Sequence, residues 1–229
     1  MRTPFISIVI PVVNEAAHIE STLVELSSNS GNDPEFETIV VDGGSDDDTL
    51  AIAKRKADKV IDSPRGRAAQ MNAGAETASG DILLFLHADT RLPDNFSELL
   101  ASEFWSTDHA WGRFDTRLDS TRPILRLVGC MMNVRSRLTG ICTGDQAIFV
   151  RRSVFEQLGG FAQIPLMEDI EISKRLKTIS SPFCVSSPVI TSSRRWEQYG
   201  VAKTIMLMWW LRLRYFLGDT PESLVKQYR

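Results

Sequence analysis

The sequence predicts an α/β fold with a mainly parallel central sheet flanked by helices, and three observations carry that expectation. Short β-branched runs alternate with amphipathic segments through the first half of the chain. Each apolar run stops at polar turn chemistry. The 229 residues, 43% of them hydrophobic, suffice for one sizeable core but hardly for two full enzyme domains.

The elements follow in order. Residues 5–12 read as a buried strand, because the run is short, β-branched and closed by Asn14-Glu15; no small-residue cleavage pattern follows it, which argues against a signal peptide. Residues 16–27 read as a helix, and "SSNSGNDPE" as a polar loop. Strands are expected at 37–41, 59–62 and 81–86, with helices at 47–56 and 68–77 between them. Past Asp89 the rhythm breaks: a half-polar strand at 111–118, a helix at 124–138, a strand at 147–150 and short helices around 168–176. With no repeat and no long linker, the second half reads as an elaboration on the same sheet, in one domain over residues 1–229.

Composition excludes several classes. A net charge of −3 lacks the basic excess of a nucleic-acid binder, so no nucleic-acid partner is expected. Three cysteines without Cys-x-x-Cys spacing argue against a disulfide framework and a zinc ribbon, and fit a reducing cytoplasmic setting. No apolar stretch approaches the roughly 20 residues that span a bilayer. A soluble protein, or one peripheral on the inner membrane face, is expected.

In an open α/β sheet, ligands bind beyond the carboxyl ends of the strands. Those ends carry Asn14-Glu15, then Asp42-Gly43-Gly44-Ser45, then residues 63–67 with Arg65 and Arg67, then His87-Ala88-Asp89. Singly, each has an ordinary reading as a turn or helix cap. Together they imply an anionic, metal-bound ligand: arginines and a helix N-terminus for phosphates, Asp89 as a hard oxygen ligand for a divalent cation, and Asp42 for a base or ribose. These are the parts of a nucleoside diphosphate site.

"SIVIPVVNEAAHIESTL", "ETIVVDGGSDDDT", "GRAAQMNAGAETASGDILLFLHADTRLP", "GDQAIFVRRSVFEQLGGF" and "MEDIEISKRL" resemble, in order and spacing, the successive blocks of the family 2 glycosyltransferases, which have the GT-A fold. The resemblance covers roughly residues 5–176. It implies transfer of a sugar from a nucleoside diphosphate sugar, a UDP-sugar being favoured, with inversion at the anomeric carbon and assistance from Mn²⁺ or Mg²⁺. It also implies a nucleotide-binding part at 1–92, an acceptor-side part at 93–196 and a C-terminal helix at 199–217. Pro11, Asn14, Glu15, Asp42, Gly44, Arg67, Asn72, His87 and Ala88 fall where the family binds its donor, and Asp89 takes the last place of the metal-binding Asp-x-Asp. His87 departs from the usual first carboxylate; it either ligates the cation, favouring Mn²⁺, or is a hydrogen-bonded histidine at a strand end.

The family's general base corresponds to Asp169, with Glu168 positioning it or the acceptor, although acids in a first helical turn are also common for dipole reasons alone. "TGDQ" makes Asp145 and Gln146 weaker acceptor-side candidates. "SSRRWEQYG" partly resembles the Gln-x-x-Arg-Trp signature of processive synthases, but Ser192 stands where glutamine belongs, so a non-processive enzyme is favoured; Trp196 either stacks on a sugar or is a core aromatic. Two rivals are a nucleotidyltransferase, disfavoured because "PVVNEAAH" lacks a glycine-rich phosphate loop, and a non-catalytic nucleotide-sugar binding protein. Finally, residues 121–138 and 194–214 are basic and apolar. The first is expected to cover the sheet with the stripe Ile124, Leu127, Val128, Met131, Val134 and Leu138. The second, with 201–217, suits anionic membrane contact or a homodimer, and a lipid-linked acceptor.

Overall fold

The computed structural model describes residues 5–28 and 35–228; most of the expected loop at 27–35 therefore lies outside the described residues. The elements are β1 (Ile6–Val12), α1 (Ala16–Ser28), β2 (Phe36–Asp42), α2 (Thr49–Lys56), β3 (Lys59–Asp62), α3 (Arg67–Thr77), β4 (Ile82–Phe85), β5 (Thr90–Arg91) and α4 (Phe96–Glu98), which runs on as a π-helix (Leu99–Phe104). There follow β6 (Trp111–Leu118), α5 (Pro123–Thr139), a 3₁₀ turn (Gly144–Gln146), β7 (Phe149–Arg151), α6 (Arg152–Gln157), α7 (Glu168–Leu176), β8 (Phe183–Thr191), α8 (Arg194–Tyr199), α9 (Val201–Phe216) and α10 (Pro221–Tyr228).

One sheet holds all the described strands, in the order β3-β2-β1-β4-β7-β6-β8-β5. The half built from β3, β2, β1 and β4 is parallel throughout. β7 then runs antiparallel to β4 and β6, while β8 is parallel to β6 and carries β5 antiparallel at the far edge. β1, β2 and β4 are buried almost end to end, because helices cover both faces of the parallel half. α3 lies close on that sheet: a Cβ at Gly74 would meet Val9 Cγ1 at 2.3 Å, so only glycine fits there.

Glu37, a carboxylate inside β2, is reconciled with burial by its partners. It accepts hydrogen bonds from Ser7 Oγ (2.6 Å) and from Ser79 N and Oγ (2.7 and 2.6 Å), and pairs with Lys59 at 2.7 Å. Burial alone would raise its pKa; the Lys59, Ser7 and Ser79 contacts outweigh it and hold the carboxyl at about 2.

Two expectations need correction. The strand β8 escaped the sequence because "FCVSSPVIT" places two serines and a proline inside it; a register shift opposite Phe114 and Asp115 accommodates them, so that Val185 pairs with Phe114 and Pro188 with Asp115. On α5 the apolar stripe does not cover the sheet: Ile124, Leu127, Met131, Val134 and Leu138 are exposed. The face that docks is made of Leu125, Val128, Gly129 and Ser136. Its small residues allow close approach, with a Cβ at Gly129 lying 3.3 Å from the Thr116 carbonyl oxygen. Asn133 fixes the contact by accepting from Thr116 N (2.8 Å) and donating to Thr116 O (3.0 Å). Satisfying a strand's backbone outweighs burying a few more aliphatic carbons.

Candidate active site

At the carboxyl ends of the parallel strands lies a cleft of about 880 Å³. β4 creates its floor. Ile82 to Leu86 are buried; the strand ends at Phe85, and in the turn that follows His87 and Asp89 line the cleft while Ala88 is only 3% exposed. Thr22 on α1 donates from its hydroxyl to the Ala88 carbonyl (2.7 Å), and Thr90 N donates to His87 O (3.1 Å), which fixes the turn. An imidazole and a carboxylate two residues apart thus both face the cleft. Gly144 packs against the imidazole so tightly that a Cβ there would meet its Cε1 and Nε2 at 2.5 Å.

α3 opens onto the same space. Arg65, Gly66 and Arg67 line the cleft at its N-terminus, where unpaired N–H groups and the helix dipole favour anions. Gly66 has φ of +150°, which suits glycine. One turn on, Gln70 donates from Nε2 to Val12 O (2.8 Å) and Val41 O (2.9 Å), tying together the ends of β1 and β2 beneath the cleft.

α7 supplies the opposite carboxylates. Met167, before its first residue, has φ of +71°, a left-handed conformation uncommon for a non-glycine residue, and it lines the cleft with Glu168 and Asp169. Glu168 is buried and receives Arg67 Nη1 at 3.3 Å. Asp169 is half-buried; it accepts from Gly144 N (3.0 Å) and Ile170 N (2.7 Å), which leaves lone pairs on both oxygens. Asp145, in the 3₁₀ turn, faces His87 at 3.7 Å.

The electrostatics follow from crowding. Burial, with Arg67 adding to it, pulls the His87 imidazole down to about 4 against the pull of Asp89 and Asp169, so the ring is neutral at neutral pH. Burial raises the Glu168 and Asp145 carboxyls, with Arg67 opposing in both cases. Burial also raises Glu15, opposed by Arg194. For Arg67 burial works against the cation, but Glu168 and its neighbours overcome it and the pKa is raised.

The residues present fit a divalent cation of the Mg²⁺ or Mn²⁺ type. Asp89 accepts no hydrogen bond among the described residues, so its carboxylate is open to the cleft beside a neutral imidazole. Such ions take one or two protein ligands and draw the rest from phosphate and water. No cluster of three or more His, Cys, Asp or Glu side chains arranged for a metal occurs among the described residues, in keeping with that division.

Of the residues singled out by sequence, Pro11, Glu15, Arg67, His87, Ala88, Asp89, Asp145, Glu168, Asp169 and Trp196 line the cleft. Trp196 packs at the same time on Leu118, Leu125 and Val128. Five others do not reach its wall. The Asp42 carboxylate closes its own turn, accepting from Gly44 N and Ser45 N at 3.0 Å each, and Gly44 supplies the positive φ that turn needs. Asn14 is likewise a turn residue, accepting from Asp46 N at 2.8 Å. Asn72 clamps the Phe161 backbone, donating to its carbonyl and accepting from its N–H at 2.8 Å each. Gln146 is fully buried and caps the 3₁₀ turn with Thr143. In this structure these side chains hold turns, caps and a neighbouring loop.

Residues that sequence reading missed are Gln70, Arg135 and Arg212, all lining the cleft. A signal existed for Arg135: it follows Val128 by seven positions and Met132 by three, which puts it on the inward face of α5. Arg195 stacks on Tyr228 at 3.9 Å, so α10 closes one wall, and Leu211 and Leu224 pack α9 and α10 over Met167 and Ile170.

A parallel nucleotide-type half-sheet extended by a mixed half, with carboxylates gathered at the strand ends, is the architecture of the GT-A glycosyltransferases. The chain belongs to glycosyl transferase family 2, whose description it matches over residues 7–159, more than half of its length. A PGL/p-HBAD biosynthesis glycosyltransferase of Mycobacterium bovis is 35% identical over 173 residues, covering 70% of this chain and 64% of the relative. An undecaprenyl-phosphate 4-deoxy-4-formamido-L-arabinose transferase of Pseudomonas syringae is 31% identical over 161 residues, covering 58% and 48%. Among solved structures, a mannosyltransferase of Pyrobaculum calidifontis in complex with GDP-Man and Mn²⁺ superposes with a TM-score of 0.63 at 22% identity, over 84% of this chain and 57% of that one. In each case the matched part is less than two thirds of the relative's own length.

Proposed function

We propose that this chain transfers one sugar from a nucleoside diphosphate sugar to an acceptor hydroxyl with inversion, with Asp169 as the general base. The observation that carries the reading is that Asp89 and Asp169, from opposite halves of the fold, line one cleft with the α3 N-terminus and Arg67. In this scheme the donor diphosphate lies against Arg65, Gly66 and Arg67. Glu168 holds Arg67 in place through their ion pair. Asp89, with His87 beside it, would hold Mn²⁺ or Mg²⁺, which when bound offsets the charge gained by the leaving diphosphate. The acceptor oxygen forms its bond to the anomeric carbon as the bond to the diphosphate breaks. Its proton passes to Asp169, and the electron pair departs with the nucleoside diphosphate. Residues 1–92 would serve the donor and 93–196 the acceptor, all within one domain.

A thermal-shift screen of nucleoside diphosphates, UDP first and GDP second, with and without Mn²⁺ tests the donor half. At a ligand concentration of about 100 Kd, binding stabilises by about 2.7 kcal/mol. That corresponds to a rise in Tm of roughly 5–10 °C for a chain of this size. No rise with any nucleotide, metal present, removes the reading.

We also propose that the acceptor side works against an anionic membrane surface. Among the described residues, every exposed large hydrophobic except Val24, Ile179 and Tyr199 lies on α5, on α9 or at Leu217 just after it. Exposed Arg122, Arg126 and Lys203 border them, which matches acidic headgroups rather than a second basic copy of the same face. No helix among the described residues is long and apolar enough to cross a membrane. The relative named for undecaprenyl-phosphate supports a lipid-linked acceptor. In flotation with phosphatidylglycerol vesicles the protein is expected to rise with the lipid at low salt, and Trp209→Ser with Trp210→Ser to remain at the bottom; wild type left at the bottom overturns this.

A further inference from the structure

Two arginines in the cleft are not used by the chemistry above. Arg135 comes from α5 and Arg212 from α9, and both line the cleft. Neither guanidinium makes a hydrogen bond or an ion pair among the described residues. Nε and Nη2 of Arg135 are buried without any partner, a state that costs several times what one ordinary hydrogen bond returns. Burial pulls Arg135 down to about 10, with the Arg212 charge adding to it, and Arg212 is lowered by burial as well. Two desolvated like charges in one cleft, neither with an acceptor among the described residues, call for an anion.

The position of the pair says whose anion it is. Arg135 and Arg212 share Asp169 and Asp145 as charged neighbours with Arg67, but they come from α5 and α9 in the second half of the fold, whereas Arg67 starts α3 in the first. The donor's phosphates already have the α3 N-terminus and Arg67, which lies with Glu168. Met131 and Met132 on α5 and Ile205 and Met208 on α9, the helices that carry the two arginines, also line the cleft. An anion held by the pair lies near Asp169, on the half of the fold assigned above to the acceptor, with those apolar side chains in the same cleft wall.

Resting on the reading of this cleft as a glycosyltransferase site, we propose that Arg135 and Arg212 form an acceptor subsite for a phosphate monoester, so that the acceptor carries a phosphate close to the hydroxyl attacked. The phosphate pairs with the Arg135 and Arg212 guanidiniums where they line the cleft, while the hydroxyl is presented to Asp169. The pair is thus a binding element for the acceptor, and its loss acts on acceptor affinity.

The test is isothermal titration of glycerol 3-phosphate and of geranyl phosphate into the full chain, first loaded with Mn²⁺ and the nucleoside diphosphate of largest thermal shift. Wild type is expected to bind both probes while nucleotide remains bound. Arg135→Gln and Arg212→Gln are each expected to weaken them about 10- to 100-fold, the range of a lost charged hydrogen bond, with nucleotide affinity unchanged. Geranyl phosphate binding about tenfold or more tightly than glycerol 3-phosphate assigns the phosphate to a lipid headgroup; equal binding assigns it to a soluble phosphate ester. Wild type that binds neither probe, or variants that lose nucleotide and keep the phosphate probes, overturn the proposal. Should Arg135→Gln not fold, Arg212→Gln on the largely exposed α9 carries the test alone. If no nucleotide binds at all, the donor reading fails separately, and titration of the unloaded protein still decides the arginine pair.

Discussion

The Asp169→Asn protein is expected to bind nucleoside diphosphate and Mn²⁺ as wild type does while transferring sugar about 10²- to 10⁴-fold more slowly, the usual contribution of a general base. The physical case rests on placement. Asp169 is held by two backbone donors, Gly144 N and Ile170 N, and keeps free lone pairs toward the cleft, whereas Glu168 is buried against Arg67. Burial raises the Glu168 carboxyl, but its Oε1 is engaged by Arg67, so Asp169 is the acid that turns unengaged lone pairs to the cleft. Asparagine can accept only through Oδ1, so one of the two backbone N–H groups faces an amide NH₂ and the fold loses about 1–3 kcal/mol. Single-turnover rates with donor in excess, read beside the melting temperature and nucleotide affinity, separate a lost base from a damaged site. A rate within fivefold of wild type would assign the proton elsewhere, Asp145 being the next carboxylate in the cleft.

Asp89→Asn is expected to abolish the Mn²⁺-dependent part of nucleotide stabilisation and to slow transfer by about 10²- to 10³-fold, equivalent to roughly 3–4 kcal/mol of lost charge compensation on the leaving group. The substitution is nearly isosteric and Asp89 accepts no hydrogen bond, so the fold itself has little to lose. This distinguishes it from changes at Asp42, whose carboxylate closes a turn. The measurement is the thermal shift with nucleotide, titrated with Mn²⁺ in both proteins. If the variant keeps the Mn²⁺ increment, the cation is held by other groups and the strand-end carboxylate has another task.

Much of the site was legible because it sits on regular elements. The strand ends after β1, β2, β3 and β4, with His87 and Asp89 following the last of them, could be read from where β-branched runs stop. The ordered blocks pointed to Asp169. What could not be read was which polar groups are spent internally. Asp42, Asn14, Asn72 and Gln146 look as functional in the sequence as Asp89 does. Only the folded chain shows that neighbouring turns and loops draw on them while Asp89 accepts no hydrogen bond among the described residues. β8 was hidden for a related reason: a register shift tolerates serines and proline where periodicity alone sees no strand.

By itself, the sequence determined the parallel half of the sheet, the anion-favouring start of α3 and the presence of carboxylates at the strand ends. These depend on near neighbours along the chain, where period and turn chemistry act directly. Tertiary structure alone decided that α5 docks through Gly129 and Asn133 and leaves its aliphatic stripe outside, and that Arg135 and Arg212 meet near Asp169. Those outcomes turn on contacts between residues far apart in sequence, where satisfying a strand's backbone groups and the close approach of small residues outrank hydrophobic pattern.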